Sequence, residues 1–284
     1  MAITKVGVLG AGTMGAGIAQ VTAQAGFQVV LVDIDQKFVD KGINGITKNF
    51  SKMVEKGKLA ADEKDAILGR ITGAVGNSNF SDVDLVIEAV LENIDLKRKI
   101  FAELDTICPA GAILASNTSS LSISEIAAAT KRPDQVVGVH FFNPVPMMKL
   151  IEIIPGILTT DESADIVTEF SKKIGKTPIK VKEYPGFVVN RILVPYINEA
   201  IFALQEGLAS AKDIDDAMKL GANMPMGPLA LSDLVGNDIC LAVMEVFYKE
   251  FADSKYRPAP LLKQMVRAGL LGMKSGKGFY DYGK

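Results

Sequence analysis

The stretch from Lys5 to Asp33 constrains the fold more than any other part of the sequence. Val6, Val8 and Leu9 form an apolar run that ends in Gly10-Ala11-Gly12-Thr13-Met14-Gly15. Met14, Ile18, Val21 and Ala25 then recur at helical spacing, Gly26 stops the helix, and Val29-Val30-Leu31-Val32 leads to Asp33. This is a strand, a glycine turn, a helix and a return strand. Gly10 permits the tight turn, Gly12 lets backbone approach a pyrophosphate, and Gly15 lets helix and strand pack closely. A helix N-terminus at this point offers unpaired N–H groups to phosphates. Asp33, 18 residues after Gly15, is placed to accept hydrogen bonds from an adenine ribose. It repels a 2′-phosphate, and Ile34 beside it brings no compensating charge, so NAD is favoured over NADP. FAD uses a similar fingerprint, so the motif alone does not name a reaction.

Further apolar runs of strand length follow at Val83–Glu88, Ala112–Ala115, Val136–Phe142, Leu150–Ile154 and Pro178–Lys182, with helical patterns between most of them. Such alternation predicts an α/β fold, a Rossmann-type doubly wound and mostly parallel sheet covered on both faces. Residues 36–71 are too long for a simple crossover and read as an inserted helical hairpin. After Lys182 the strands stop. Tyr184-Pro185-Gly186 marks a turn, and Phe187 to about Glu206 has a long helical pattern with a kink expected at Pro195. Another helix is expected near Lys212, with Asp213, Asp215 and Asp216 in its first turn. The domains are therefore expected at 1–184, Rossmann-type, and 185–284, all helical. A length of 284 residues agrees with two domains at roughly 150 residues each.

A net charge of −2 gives no reason to expect nucleic-acid binding, so any basic site must be local. No apolar stretch approaches the roughly 18 residues of a membrane span. A strand pattern starting at Lys5 leaves no room for a leader peptide. Two cysteines, Cys108 and Cys240, are too few for a disulfide framework; one pairing stays open, and reduced thiols in a cytoplasmic protein are expected. No metal site is expected.

The chain has one histidine, His140, near the end of the apolar strand Val136–Val139. In an open α/β sheet, ligands gather outside the carboxyl ends of strands, which raises a catalytic reading above a structural one. Glu152 lies 12 residues later among Leu150, Ile151, Ile153 and Ile154. A carboxylate inside such a run needs a partner. The intervening Asn143-Pro144-Val145-Pro146 reads as a turn, so a hairpin would set Glu152 beside His140 as the group that orients a base. Strict alternation also permits Glu152 to face water. Ser116-Asn117-Thr118-Ser119-Ser120 follows a short strand, at another carboxyl end. Helix capping by Ser122 or Ser124 accounts for part of this run and not for all its hydroxyls. Asn190 starts the long helix and reads equally as a site residue or as a polar face residue. On the hairpin, Val39, Ile43, Ile46, Phe50 and Met53 make an apolar stripe, while Lys48, Lys52 and Lys56 line another face. A lysine stripe is usually a solvated surface; here it also suits a phosphate-bearing substrate.

Over its whole length the chain resembles the L-3-hydroxyacyl-CoA dehydrogenases. The resemblance rests on Gly10–Gly15, Glu88-Ala89-Val90, Ser116–Ser120, His140–Pro146 with Lys149–Glu152, and Pro185–Arg191. Gly221–Pro228 and Gly276-Lys277-Gly278-Phe279-Tyr280 add to it. The compact size, without a hydratase domain, is similar to the short-chain members from fermenting bacteria, which implies 3-hydroxybutyryl-CoA and acetoacetyl-CoA as the substrate pair. The resemblance implies that His140 takes the 3-hydroxyl proton as hydride leaves C3, that Glu152 orients His140, and that Ser119 and Asn190 bond the reacting oxygens. Gly10, Ala11, Gly12, Thr13, Met14, Gly15, Asp33, Glu92, Lys97, Asn117, Asn143 and Lys274 become the expected NAD contacts. Lys52 and Lys56 become the expected contacts of the CoA phosphates, and Asn49 stands where some relatives place a serine for CoA. A homodimer through the helical domain is implied as well. Two readings compete: an NAD dehydrogenase of a free hydroxy or sugar acid, and a non-catalytic NAD-binding protein. The His140–Glu152 pair argues against the second.

Overall fold

The computed structural model describes residues 3–283. The chain forms two compact units, one ending at Tyr184 and the other beginning at Pro185.

The first unit is an eight-stranded sheet with helices between its strands. In chain order it runs β1 (Lys5–Leu9), α1 (Thr13–Gln24), β2 (Gln28–Asp33), α2 (Gln36–Glu55), α3 (Ala61–Leu68) and β3 (Ile71–Val75). It continues with β4 (Leu85–Glu88), α4 (Ile94–Ile107), β5 (Ile113–Ser116), α5 (Ile123–Ala127) and β6 (Val136–Phe141), then β7 (Leu150–Pro155), α6 (Asp161–Lys173) and β8 (Thr177–Lys180). The spatial order is β3-β2-β1-β4-β5-β6-β7-β8. From β3 to β6 every pairing is parallel; β7 lies antiparallel to β6, and β8 parallel to β7. The order reverses between β1 and β4, and a crevice for a ligand opens at such a switch point.

Near-continuous burial along β1, β4, β5 and β6 fits strands covered on both faces. Val8, Leu31, Ile87, Ala115 and Val139 form the sheet's part of the core, against Ile18 and Ala19 of α1 and Val167 and Phe170 of α6. The inserted hairpin is α2 and α3. Asp35 caps α2 by accepting from the Lys37 N–H at 2.9 Å, and Val39, Ile46 and Phe50 bury its apolar stripe. The sequence pattern hid β3. Ile71-Thr72-Gly73-Ala74-Val75 is a half-exposed edge strand, and Gly73 is there because a Cβ would meet Ile43 and Val39 at 2.6 Å. The other strands fall within about two residues of expectation; β4 starts at Leu85, and Phe142 and Lys182 lie beyond strand ends.

The second unit is α7 (Val189–Gln205), α8 (Ala211–Gly221), α9 (Pro228–Val235), α10 (Asn237–Phe251) and α11 (Pro260–Arg267), joined by turns. Helix α7 continues through Pro195. Val194, Ile197, Ile201, Leu229, Met244 and Phe247 form a core separate from that of the sheet. Of the three aspartates expected in one first turn, only Asp213 is there, because Ser210 caps α8. Asp215 is instead buried and accepts the Leu229 and Ala230 N–H groups at 2.8 and 2.9 Å, capping α9 where Gly227 has no side chain to do so. Asp216 pairs with Lys212 and Lys219, whose hydrogen bonds lower its carboxyl to about 2. Asp233, also buried, accepts the Phe279 and Tyr280 N–H groups and the Tyr282 hydroxyl, each at 3.0 Å, and so anchors the C-terminal segment.

Candidate active site

At the β1–α1 turn each glycine answers a measurable demand. Gly10 has φ +100, and a Cβ there would lie 2.6 Å from the Ala89 carbonyl oxygen. A Cβ on Gly15 would lie 1.7 Å from the Gly10 carbonyl oxygen, so no other residue fits. Gly12 is the opposite case. It is the N-cap of α1, makes no side-chain cap bond, and nothing lies within 4 Å of where its Cβ would be. Open space therefore faces the uncapped first turn of Thr13, Met14 and Gly15, as a pyrophosphate requires. Asp33 Oδ2 accepts the Ala11 N–H at 2.7 Å, and Oδ1 accepts the Ile34 N–H at 2.7 Å. Ionised carboxylate oxygens keep further lone pairs for ribose hydroxyls. Ile34 is exposed, and the nearby Lys37 pairs with Asp35. The residues present fit NAD.

His140 is the fifth residue of β6, and the antiparallel register sets Glu152 of β7 directly opposite it. His140 Nδ1 and Glu152 Oε2 are 2.8 Å apart, and Glu152 is 0% exposed. The water-facing alternative for Glu152 is thereby excluded. Around the pair, the Phe142 ring centroid lies 4.4 Å from that of His140. Asn117 Oδ1 accepts the Phe141 N–H at 2.8 Å, which ties the end of β5 to that of β6. Lys176 Nζ donates to the Val145 and Met148 carbonyls and so grips the β6–β7 turn, where Asn143 is exposed.

Beside this pair the serine run is organised around two acids. Buried Glu88, at the end of β4, accepts from Lys97 Nζ at 2.6 Å, from Ser116 Oγ at 2.7 Å and from the Val90 N–H at 2.7 Å. Lys97 is 1% exposed and also lies 3.5 Å from Glu92. Glu92 Oε1 accepts the Thr118 hydroxyl at 2.6 Å, the Ser119 N–H at 2.9 Å and the Ser119 hydroxyl at 3.2 Å. Desolvation raises the Glu92 pKa, but the Lys97 ammonium and these hydrogen bonds outweigh it and hold the carboxyl below its usual range. Lys97, expected against the cofactor, is thus committed to two acids and bears on the crevice through Glu92. Ser122 caps α5. Sequence reasoning missed Glu183, which accepts from Ser122 and Ser124; in Lys182-Glu183-Tyr184-Pro185 it reads as part of a charged linker.

Lys48, Lys52 and Lys56 are exposed, the last as the residue that ends α2, and Asn49 donates to Gln20 Oε1 at 3.1 Å. In the second unit Asn190 is the second residue of α7, and Lys274 pairs with Asp238 at 2.5 Å. Cys108 and Cys240 are free and buried. Among the described residues no helix is long and apolar enough to cross a membrane.

Residues 5–184 match the family model for the 3-hydroxyacyl-CoA dehydrogenase NAD binding domain, and residues 186–282 match that family's C-terminal domain. A probable 3-hydroxybutyryl-CoA dehydrogenase of Deinococcus radiodurans is 54% identical over 98% of this chain and 100% of its own. A 3-hydroxybutyryl-CoA dehydrogenase of Clostridioides difficile is 53% identical over 99% of this chain and 100% of its own. The crystal structure of (S)-3-hydroxybutyryl-CoA dehydrogenase from Ralstonia eutropha superposes with a TM-score of 0.97 at 52% identity, over 100% of both chains.

Proposed function

The chain belongs to the 3-hydroxyacyl-CoA dehydrogenase family, and from that premise we propose that its substrate pair is 3-hydroxybutyryl-CoA and acetoacetyl-CoA. It is an NAD-dependent dehydrogenase. Bound at the β1–α1 turn, NAD supplies a nicotinamide ring that accepts the hydride from C3 or returns it.

The observation that carries the reading is the buried 2.8 Å contact between His140 Nδ1 and Glu152 Oε2 at the carboxyl end of β6. With Glu152 accepting from Nδ1–H, the neutral ring presents Nε2 as its basic nitrogen, and there His140 takes the 3-hydroxyl proton. The Glu152 carboxylate fixes the ring and offsets the charge that the imidazole gains. Ser119 hydrogen-bonds the reacting oxygen. Glu92 holds the Ser119 backbone N–H, and Lys97, itself paired with Glu88, holds Glu92. Asn117 and Asn143, just beyond the ends of β5 and β6, serve the nicotinamide side. Lys52 and Lys56 hold the CoA phosphates.

A homodimer through the helical unit is supported by exposed apolar side chains there, among them Ile192, Leu208 and Leu220. Two free thiols agree with a reducing, cytoplasmic setting.

Comparing NADH oxidation with acetoacetyl-CoA and with free acetoacetate tests the substrate class; equal turnover of the free acid would reject CoA recognition. In the same assay His140→Gln keeps NADH affinity and loses about a hundredfold or more in kcat. Undiminished turnover would remove His140 as the base.

A further inference from the structure

We propose that Glu183 is a positioning residue for this reaction, whose carboxylate clamps the far end of the serine loop and thereby sets where Ser119 presents its hydroxyl. The inference rests on the reading of Ser119 as a substrate contact. The loop has little structure of its own: β5 ends at Ser116, and α5 does not begin until Ile123. Five residues of helix are far too few to hold themselves in place. Two carboxylates hold the segment instead. At the near end Glu92 takes the Thr118 and Ser119 donors. At the far end Glu183 accepts from Ser122 Oγ at 2.6 Å, from the Ser124 N–H at 2.9 Å and from the Ser124 hydroxyl. Between these anchors the Ser120 and Leu121 N–H groups both turn back to Thr118 Oγ1, at 3.3 and 2.9 Å. Ser119 therefore sits on a short span fixed at both ends.

Glu183 does what the helix cap alone does not. Ser122 caps α5 through the Glu125 N–H at 3.1 Å, a neutral bond within one turn. Bonds to a carboxylate are charge-assisted and stronger, and negative charge at a helix start is favoured by the dipole. The tie also reaches a third segment. Ser124 Oγ accepts the Ile157 N–H at 2.8 Å, and a Cβ on Gly156 would lie 3.1 Å from that oxygen. Glu183 thus joins the serine loop, the chain that follows β7 and the point two residues before Pro185.

The test is a double-mutant cycle in the full-length enzyme. Glu183→Gln keeps the size but removes the charge and replaces one accepting oxygen with a donor facing one of the two serine hydroxyls. Its kcat with acetoacetyl-CoA is expected to fall about tenfold, because small misplacements of a contact group cost rate steeply. The KM for NADH is expected to stay at the parental value, and the Tm to fall by no more than a few degrees. Ser124→Ala should lower kcat in the same direction by less. The discriminating readout is Glu183→Gln combined with Ser119→Ala, which should be no slower than Ser119→Ala alone, since both act through one hydroxyl. Full kcat in Glu183→Gln, additive losses in the double variant, or an equal loss of NADH affinity would each overturn the proposal. If Ser119→Ala is itself as fast as the parent, the substrate role of the loop fails and Glu183 falls with it. If Ser119→Ala is slow and Glu183→Gln fast, Glu183 alone is rejected.

Discussion

At the residue scale the site depends on one carboxylate in an apolar strand. Glu152 is buried among aliphatic neighbours and touches the imidazole it faces across the hairpin. Glu152→Gln preserves an acceptor for Nδ1–H but removes the negative charge opposite the imidazolium that forms during turnover. It should cost about a hundredfold or more in kcat while NADH titrates with parental affinity. A parental rate would mean that Glu152 supports packing only. This pair was legible in the sequence because a carboxylate inside an aliphatic run demands a partner, and the chain offers a single histidine one turn away. Glu183 was not legible, since its partners lie 59 and 61 residues distant and its neighbours are those of a charged linker. The two cysteines make a separate prediction. Burial raises both thiols to about 11 from an ordinary 9.0. The folded state favours the neutral thiol, so this contribution to stability is complete below pH 9 and fades as pH rises toward 11. At pH 8 the native protein should react slowly with a thiol reagent and release both thiols on unfolding, whereas a fast native reaction would contradict the burial.

At the element scale, the β1–α1–β2 unit was readable because its glycines are dictated by backbone clearance, which shows directly as residue type. The edge strand β3 was not. Half-exposed, short and interrupted by Gly73, it has neither the continuous apolar run of a buried strand nor clean alternation. Helix α6, with acids in its first turn and lysines in its last, is readable by the dipole rule. Helix α2 joins two signals on one element. Its buried stripe fixes which face meets the sheet, and that leaves Lys48, Lys52 and Lys56 in solvent. Charge reversal of Lys52 and Lys56 together should therefore leave the fold and the KM for NADH unaltered. It should raise the KM for acetoacetyl-CoA about tenfold or more, an effect that shrinks as salt is added. An unchanged KM in low salt would reduce the stripe to a solvated face.

At the scale of the whole molecule, the near-neutral total charge conceals a local contrast that composition alone did not disclose. Acids are drawn inward as hydrogen-bond acceptors, as with Glu88, Glu152, Asp215 and Asp233, each 4% exposed or less. Many lysines stay at the surface, with the basic stripe on α2 as the concentrated case. The helical unit poses the remaining question. Besides Ile192, Leu208 and Leu220, it exposes Leu234 and Ile239, each about half or more accessible, while its own core is already complete in Val194, Ile201, Leu229 and Phe247. Large apolar side chains scattered singly are ordinary, and the proposed homodimer would cover some of these. A self-complementary contact between two copies is the commonest form of such an assembly. Sedimentation equilibrium should accordingly return twice the 30.3 kDa of the chain. Single aspartate substitutions at these five positions should include at least one that halves the mass without loss of helical signal, because none of the five is needed to fill the core. A monomer at micromolar concentration would reject the dimer, and five variants that all remain dimeric would place the contact elsewhere and leave these side chains in water.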